Sequence, residues 1–116
     1  MSAIELAQSL IKIKSISPKD EGCFDLVEAE LAPLGFETKR IPELNCETLL
    51  AKFGNSGKVF CFLGHTDVVP SGPEDEWTSP PFEANIINGE LIGRGAADMK
   101  GSVAVFIQSV KKFLTA

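Results

Sequence analysis

The chain contains a single histidine, His65, which lies two residues before an aspartate, Asp67. An imidazole titrates near neutral pH and is the commonest metal ligand in proteins, so His65 is the first candidate for chemistry. Residues two apart in extended backbone project to the same side, so Asp67 is placed to hydrogen-bond the His65 ring and fix its tautomer. The pattern predicts a metal site or an acid–base site at residues 65–67.

A further carboxylate, Asp98, follows 33 residues after His65 in the glycine-rich segment GRGAADMKG, residues 93–101. An imidazole with carboxylates is a donor set that suits zinc, although a catalytic zinc takes at least three protein ligands. Spacing alone leaves two alternatives open: His65 as a hydrogen-bonded structural residue, and Asp98 as the N-cap of the following helix. The glycine spacing fits neither the Rossmann nor the P-loop phosphate-binding pattern.

Composition excludes several classes of protein. The 116 residues suffice for one small domain, and 44% hydrophobic with 23% charged residues is ordinary for a globular protein. A net charge of −5 without a basic cluster argues against nucleic-acid binding, and no apolar run is long enough to span a membrane. Three cysteines without CxxC spacing predict buried or half-buried thiols in the reducing cytoplasm.

Hydrophobic periodicity predicts three helices and several strands. The helices are expected at residues 3–14, from about residue 20 to a glycine cap at Gly35, and after residue 101. Strands are expected at 36–41, an exposed edge strand ended by Pro42, and at 48–53. The apolar run Val59–Leu63 predicts a strand buried on both faces, whose end would carry His65 and Asp67. Asn88-Gly89 predicts a hairpin, and residues 70–81, which include Trp77, a stiff loop.

This order of elements predicts an α/β fold in which helices pack on a mixed, mostly parallel sheet. Ligand sites of such sheets lie at the strand ends, which is where His65 and Asp67 are expected. The last helix would normally cross back to another buried strand, and none follows, so the 116 residues are expected to be part of a larger domain.

Three segments together resemble a known family. They are GHTDVVPSG at residues 64–72, EWTSPPF at residues 76–82 and NGELIGRGAADMKGS at residues 88–102. In order and separation they resemble the N-terminal part of the two-zinc aminoacylases and carboxypeptidases. The resemblance implies that residues 1–116 form the N-terminal part of a zinc-aminopeptidase-like catalytic domain. The rest of that domain and a dimerisation domain would lie outside them.

The resemblance also implies roles for the candidate residues. His65 would bind one zinc ion, Asp98 would bridge two, and Asp67 would orient the His65 imidazole. The implied cofactors are two zinc ions, for which cobalt can substitute, and the Asp98-Met99 peptide is expected to be cis. The general base and the remaining ligands would lie beyond residue 116, so the chain alone is expected to be inactive.

The implied reaction is amide hydrolysis of a small molecule, a succinylated diamino acid. The implied full-length protein is a cytoplasmic homodimer that binds neither nucleic acid nor membrane. Three alternatives remain open at this point: a deacylase for acetylated amino acids, a dipeptidase, and a non-catalytic fragment that only binds a partner.

Overall fold

The computed structural model describes all 116 residues, which form three helices and two separate two-stranded antiparallel sheets. In chain order the elements are α1 (Ala3–Ile11), α2 (Cys23–Leu31), a 3-10 turn (Ala32–Leu34), β1 (Glu37–Glu43), β2 (Cys46–Lys52), a 3-10 turn (Glu74–Glu76), β3 (Asn85–Ile87), β4 (Glu90–Ile92), an irregular turn (Ala96–Lys100) and α3 (Gly101–Thr115). The longest helix, α3, has 15 residues, and no helix is long and apolar enough to cross a membrane.

The core lies between the three helices, whose predicted existence is confirmed. Its buried cluster comprises Leu6, Ala7, Leu10, Cys23, Val27, Leu31, Val103, Ala104 and Ile107. These residues recur at helical spacing, so each helix turns one apolar stripe inward, and each large aliphatic side chain contributes about 1.5–3 kcal/mol. The first helix ends at Ile11, before the predicted residue 14.

The helix ends follow local sequence signals. The Ser2 hydroxyl accepts a hydrogen bond of 3.1 Å from the Glu5 amide at the start of α1. The Asp20 carboxylate accepts one of 3.1 Å from the Phe24 amide at the start of α2. After α2 the chain turns at Gly35, whose φ of +97° lies in the left-handed region that glycine adopts most readily. The predicted glycine cap is therefore confirmed.

Strands β1 and β2 pair with each other through a tight turn at Leu44 and Asn45. The sequence predicted both strands, but β1 continues through Pro42 to Glu43 instead of ending at the proline. A proline is tolerated there because each strand of a two-stranded ribbon has one open edge, where a missing N–H removes no ladder bond.

Strands β3 and β4 form the hairpin that Asn88-Gly89 predicts. The two turn residues have φ of +52° and +78°, which is the geometry of a type I′ turn. Residues 70–81 form the predicted loop, irregular except for the single 3-10 turn. Within it, the Trp77 indole donates a hydrogen bond of 3.0 Å to the Ser71 carbonyl.

The prediction of a buried strand at Val59–Leu63 is wrong. This segment forms no strand, and Val59, Phe60 and Leu63 are 91%, 85% and 90% exposed. The Phe62 ring lies parallel to that of Phe106 with centroids 4.1 Å apart, and the exposed Phe60 ring lies 6.4 Å from the same ring.

The reason for this difference is the lack of a neighbouring strand. A buried strand needs backbone partners at its edges, but the two ribbons pair only within themselves. The one parallel contact is a single bridge between Ile16 and Val68, just after the apolar run. The chain thus has the helices and short strands of a partial α/β domain, while the predicted mostly parallel sheet is not formed by these 116 residues.

Lys100 is a completely buried lysine that joins the turn before α3 to the end of α1. Its ammonium group donates hydrogen bonds of 2.7 Å to the Leu10 carbonyl and 2.8 Å to the Ile13 carbonyl. Each carbonyl also accepts a backbone hydrogen bond, from the Ile13 and Ser15 amides respectively, so the lysine adds a second donor to each and ties the turn before α3 to the end of α1. Burial lowers the pKa of Lys100 because the charged form loses its hydration.

Replacing Lys100 by methionine tests this link. Lys100→Met keeps roughly the length of the side chain but removes both hydrogen bonds from the charged ammonium group, so the free energy of unfolding should fall by about 2 kcal/mol. Urea denaturation of the chain measures this change. Lys112→Met is the matched control, because it removes the same charge from an exposed position in α3. Equal stabilities of the two variants would contradict the structural role of Lys100.

The three cysteines differ in exposure. Cys23 is fully buried, but Cys46 and Cys61 are exposed, so the expectation of three shielded thiols is wrong for two of them. Burial also raises the pKa of the Cys23 thiol, since a thiolate there would lose its solvation.

Thiol titration of the native chain should therefore detect two fast-reacting cysteines. A third should react only after denaturation. Cys23→Ala should leave the native count at two, while Cys46→Ala should lower it to one. Rapid native reaction of all three thiols would contradict the burial of Cys23.

Candidate metal centre

The His65 imidazole contacts an aspartate at each of its nitrogens. Its Nε2 lies 3.1 Å from Oδ1 of Asp98. Its Nδ1 lies 3.0 Å from the backbone oxygen of Asp67 and 3.4 Å from Oδ1 of the same residue. The structure thus brings together the three residues that the sequence singled out.

Three hydrogen bonds between residues 15–17 and 66–68 hold the backbone beside His65. The Val68 amide donates to the Ser15 carbonyl, and the Ser17 amide donates to the Val68 carbonyl, both at 2.9 Å. The Ser15 hydroxyl is fully buried and donates to the Thr66 carbonyl at 2.7 Å. The loop between α1 and α2 therefore fixes residues 66–68, although residues 59–63 before them are exposed.

Asp98 lies in the turn between β4 and α3. Gly95 has a φ of +88°, and a Cβ there would lie 2.6 Å from Cγ1 of Val68, so only glycine lets the turn approach the His65 segment this closely. The Met99 sulfur accepts a hydrogen bond of 3.4 Å from the His65 amide, and the Asp98-Met99 peptide is cis, as the resemblance predicted.

The Asp98 side chain does not cap α3. The first residues of α3 receive no side-chain capping hydrogen bond, and the contact of the Asp98 carboxylate is with His65. The carboxylate is also 86% exposed, so it faces the space beside the imidazole and not the helix. The N-cap alternative does not describe this residue.

The candidate residues border a cavity of about 230 Å³. Polar side chains and glycines form most of its wall, and few apolar side chains contribute. The lining residues are Ser17, His65, Asp67, Val68, Val69, Gly93, Arg94, Gly95, Ala97 and Asp98.

The donor atoms at this cavity fit a zinc ion in kind and in spacing. Two ligand atoms on one tetrahedral zinc lie roughly 3.3 Å apart when each bond is about 2.0–2.1 Å. The Nε2 of His65 and the Oδ1 of Asp98 are 3.1 Å apart. The ligand set is incomplete, because no group of three His, Cys, Asp or Glu side chains in the chain could hold a metal. The assignment of His65 and Asp98 as ligands and of Asp67 as the orienting group therefore stays a prediction.

Two residues of the cavity wall were not predicted from the sequence. The Ser17 hydroxyl donates a short hydrogen bond to Oδ2 of Asp67. The Arg94 guanidinium lies 5.1 Å from the centre of the Trp77 ring, and its Nε is buried without a hydrogen-bond partner. The only signals were a serine before a proline and an arginine between two glycines, and neither signal specifies a contact with the site.

Comparison with known proteins gives a consistent result. Residues 61–116 match peptidase family M20/M25/M40. The chain is 50% identical over 109 residues to a succinyl-diaminopimelate desuccinylase of Aromatoleum aromaticum, covering 94% of this chain and 28% of that protein. It is 51% identical over 115 residues to the desuccinylase of Halorhodospira halophila, covering 98% of this chain and 30% of that protein.

A solved structure supports the same relationship. The crystal structure of an M20 family metallo-carboxypeptidase from Sulfolobus solfataricus superposes with a TM-score of 0.84 and 26% identity. The match covers 99% of this chain and 28% of that one. The chain thus spans less than a third of the length of the proteins that it matches. Over nearly its whole length the chain is therefore similar to part of the succinyl-diaminopimelate desuccinylases, and its residues 61–116 match peptidase family M20/M25/M40.

Proposed function

We propose that this chain is the N-terminal part of the metal-binding catalytic domain of a succinyl-diaminopimelate desuccinylase. The full-length enzyme would hydrolyse N-succinyl-LL-2,6-diaminopimelate to succinate and LL-2,6-diaminopimelate, a step in diaminopimelate and lysine biosynthesis. The observation that carries the proposal is the His65–Asp98 pair, 3.1 Å apart, in a chain that is about 50% identical to such enzymes.

In this proposal His65 would hold one zinc ion through Nε2, and the Asp98 carboxylate would be a ligand shared by two ions. Cobalt could take the place of zinc. When bound, the pair of ions activates water and polarises the carbonyl of the scissile amide. Asp98 is suited to the bridging position because its carboxylate is largely exposed and contacts only the imidazole.

Asp67 has a different task in this proposal. Both its backbone oxygen and its carboxylate face Nδ1 of His65, at 3.0 and 3.4 Å. Acceptors on that side keep the proton on Nδ1 and leave the lone pair of Nε2 free for a metal. Asp67 would thus orient and polarise His65 without binding metal itself.

The 116 residues would not be catalytic by themselves. A catalytic zinc takes at least three protein ligands, and the chain brings together only two. We propose that the general base, the remaining ligands and a dimerisation domain come from sequence outside residues 1–116. A cytoplasmic homodimer remains the prediction for the full-length enzyme.

Three other functions can be distinguished from this one by experiment. An acetylornithine deacetylase or a dipeptidase would use the same two-metal chemistry on a different acyl group or amide. A non-catalytic binding fragment is favoured by one observation, the exposed apolar side chains of Val59, Phe60 and Leu63, which would suit a partner surface.

The first test compares the full-length protein that contains this chain with the 116-residue chain. We expect the full-length protein to contain zinc and to release succinate from N-succinyl-LL-2,6-diaminopimelate, and the short chain to do neither. Metal analysis and a succinate assay measure both properties. Preference of the full-length protein for acetylornithine or a dipeptide would keep the mechanism and change the substrate. Absence of any hydrolysis would favour the binding fragment.

The second test removes the proposed ligands in the full-length protein. His65→Ala and Asp98→Asn should each lower the zinc content and reduce kcat/KM by more than about 100-fold, the upper range for residues that only support metal ligands. Asp75→Asn is the matched control for Asp98→Asn, because Asp75 is an exposed aspartate in the loop before β3. An Asp98→Asn variant that keeps the activity of the Asp75→Asn control would exclude the bridging role.

A further inference from the structure

We propose that Ser17 is a positioning residue for the metal centre: its hydroxyl holds the Asp67 carboxylate in the orientation that faces His65. The inference rests on the proposed function, because it gives Ser17 a task in preparing a metal ligand. Ser17 lies in the loop between α1 and α2, about fifty residues before Asp67 in the sequence.

The two oxygens of the Asp67 carboxylate have separate partners. Oδ2 accepts the short hydrogen bond from the Ser17 hydroxyl, and Oδ1 lies 3.4 Å from Nδ1 of His65. Because the two oxygens belong to one planar group, fixing Oδ2 also fixes the direction in which Oδ1 points. The contacts form one chain from Ser17 through Asp67 and His65 to Asp98, 3.1 Å beyond the imidazole.

Ser17 is itself held in place by the backbone. Its amide donates a hydrogen bond of 2.9 Å to the Val68 carbonyl, next to the parallel bridge between Ile16 and Val68. The backbone of Ser17 is thus hydrogen-bonded to Val68, the residue that follows Asp67. Rotation about a single bond, Cα–Cβ, sets the position of the serine oxygen, so little conformational entropy opposes its hydrogen bond.

Packing does not account for the position of Ser17. The residue is exposed, and its hydroxyl lines the same cavity as His65 and Asp98. The Asp67 side chain is itself 44% exposed, so without a donor its carboxylate would rotate and exchange His65 for water. The loss of the hydroxyl should therefore affect metal binding more than folding.

The test measures Zn²⁺ affinity by chelator competition in the full-length protein. Ser17→Ala should weaken zinc binding about 10-fold, within the range found for groups that orient metal ligands. Ser17→Thr keeps the hydroxyl and should stay within about 3-fold of the unsubstituted protein. Ser56→Ala, which removes an exposed hydroxyl from the turn after β2, is the matched control and should have no effect.

A double-substitution cycle decides whether Ser17 acts through Asp67. In an Asp67→Ala background, Ser17→Ala should change zinc affinity less than 2-fold, because the acceptor is already gone. An undiminished effect in that background, a Ser17→Thr variant as weak as Ser17→Ala, or unchanged affinity in Ser17→Ala would each overturn the inference.

The outcome is independent of the substrate assay. A full-length protein that binds zinc but does not release succinate would contradict the proposed reaction, while the affinities would still decide the role of Ser17. A full-length protein that releases succinate with unchanged zinc affinity in Ser17→Ala would overturn the inference alone. A full-length protein that binds no zinc would overturn both.

Discussion

The candidate site depends on how the two nitrogens of one imidazole are divided between partners. A neutral histidine can bind a metal only through the nitrogen that lacks a proton. In this chain, acceptor oxygens of Asp67 occupy the Nδ1 side of His65, and the Asp98 carboxylate lies on the Nε2 side. The segment with Asp67 thus contacts one side of the ring, and the turn with Asp98 contacts the other.

A few polar contacts attach the two segments beside His65 to the helical core. Lys100, two residues after Asp98, is tied to carbonyls of the α1 region, and residues 15–17, which follow α1, are tied to residues 66–68. The turn that carries Asp98 and the segment that carries Asp67 are thus both hydrogen-bonded to α1 or to the residues that directly follow it. Burying an ammonium group costs several kcal/mol, which is offset here by charge-assisted hydrogen bonds to two backbone carbonyls. A shift of α1 would therefore change the positions of both Asp67 and Asp98 relative to His65.

The incomplete ligand set and the exposed apolar segment are best understood together. Residues 59–63 lead directly into His65, and their apolar side chains have little to pack against except Phe106. In α/β domains, ligand sites lie where strands end, and neighbouring strands supply further site residues. Additional strands beside residues 59–63 would cover the apolar side chains and could deliver the missing ligands to the same edge. The exposed apolar segment beside an incomplete ligand set thus supports the proposal that the chain acts within a longer hydrolase.

Local sequence was sufficient for the elements that are stabilised locally. Helical spacing of apolar residues located all three helices, Gly35 located a helix end, and Asn88-Gly89 located a hairpin, because each signal acts within a few residues. The apolar run at residues 59–63 was misinterpreted for the converse reason. Periodicity shows that a segment is suited to burial, but the partner strands that would bury it have to come from elsewhere.

For the site, the sequence by itself determined the candidate groups: one imidazole, two carboxylates, and motifs that resemble those of a known family. The tertiary structure decided the contacts that prepare these groups. Ser17 reaches Asp67 across 50 residues, and Lys100 reaches the Leu10 carbonyl across 90. The residues next to a serine or a lysine in the sequence do not indicate which distant group it will contact, so neither pair could be predicted. Tertiary packing, of α1 against α3 for Lys100 and of residues 15–17 beside residues 66–68 for Ser17, determines which groups lie within hydrogen-bonding distance of each side chain.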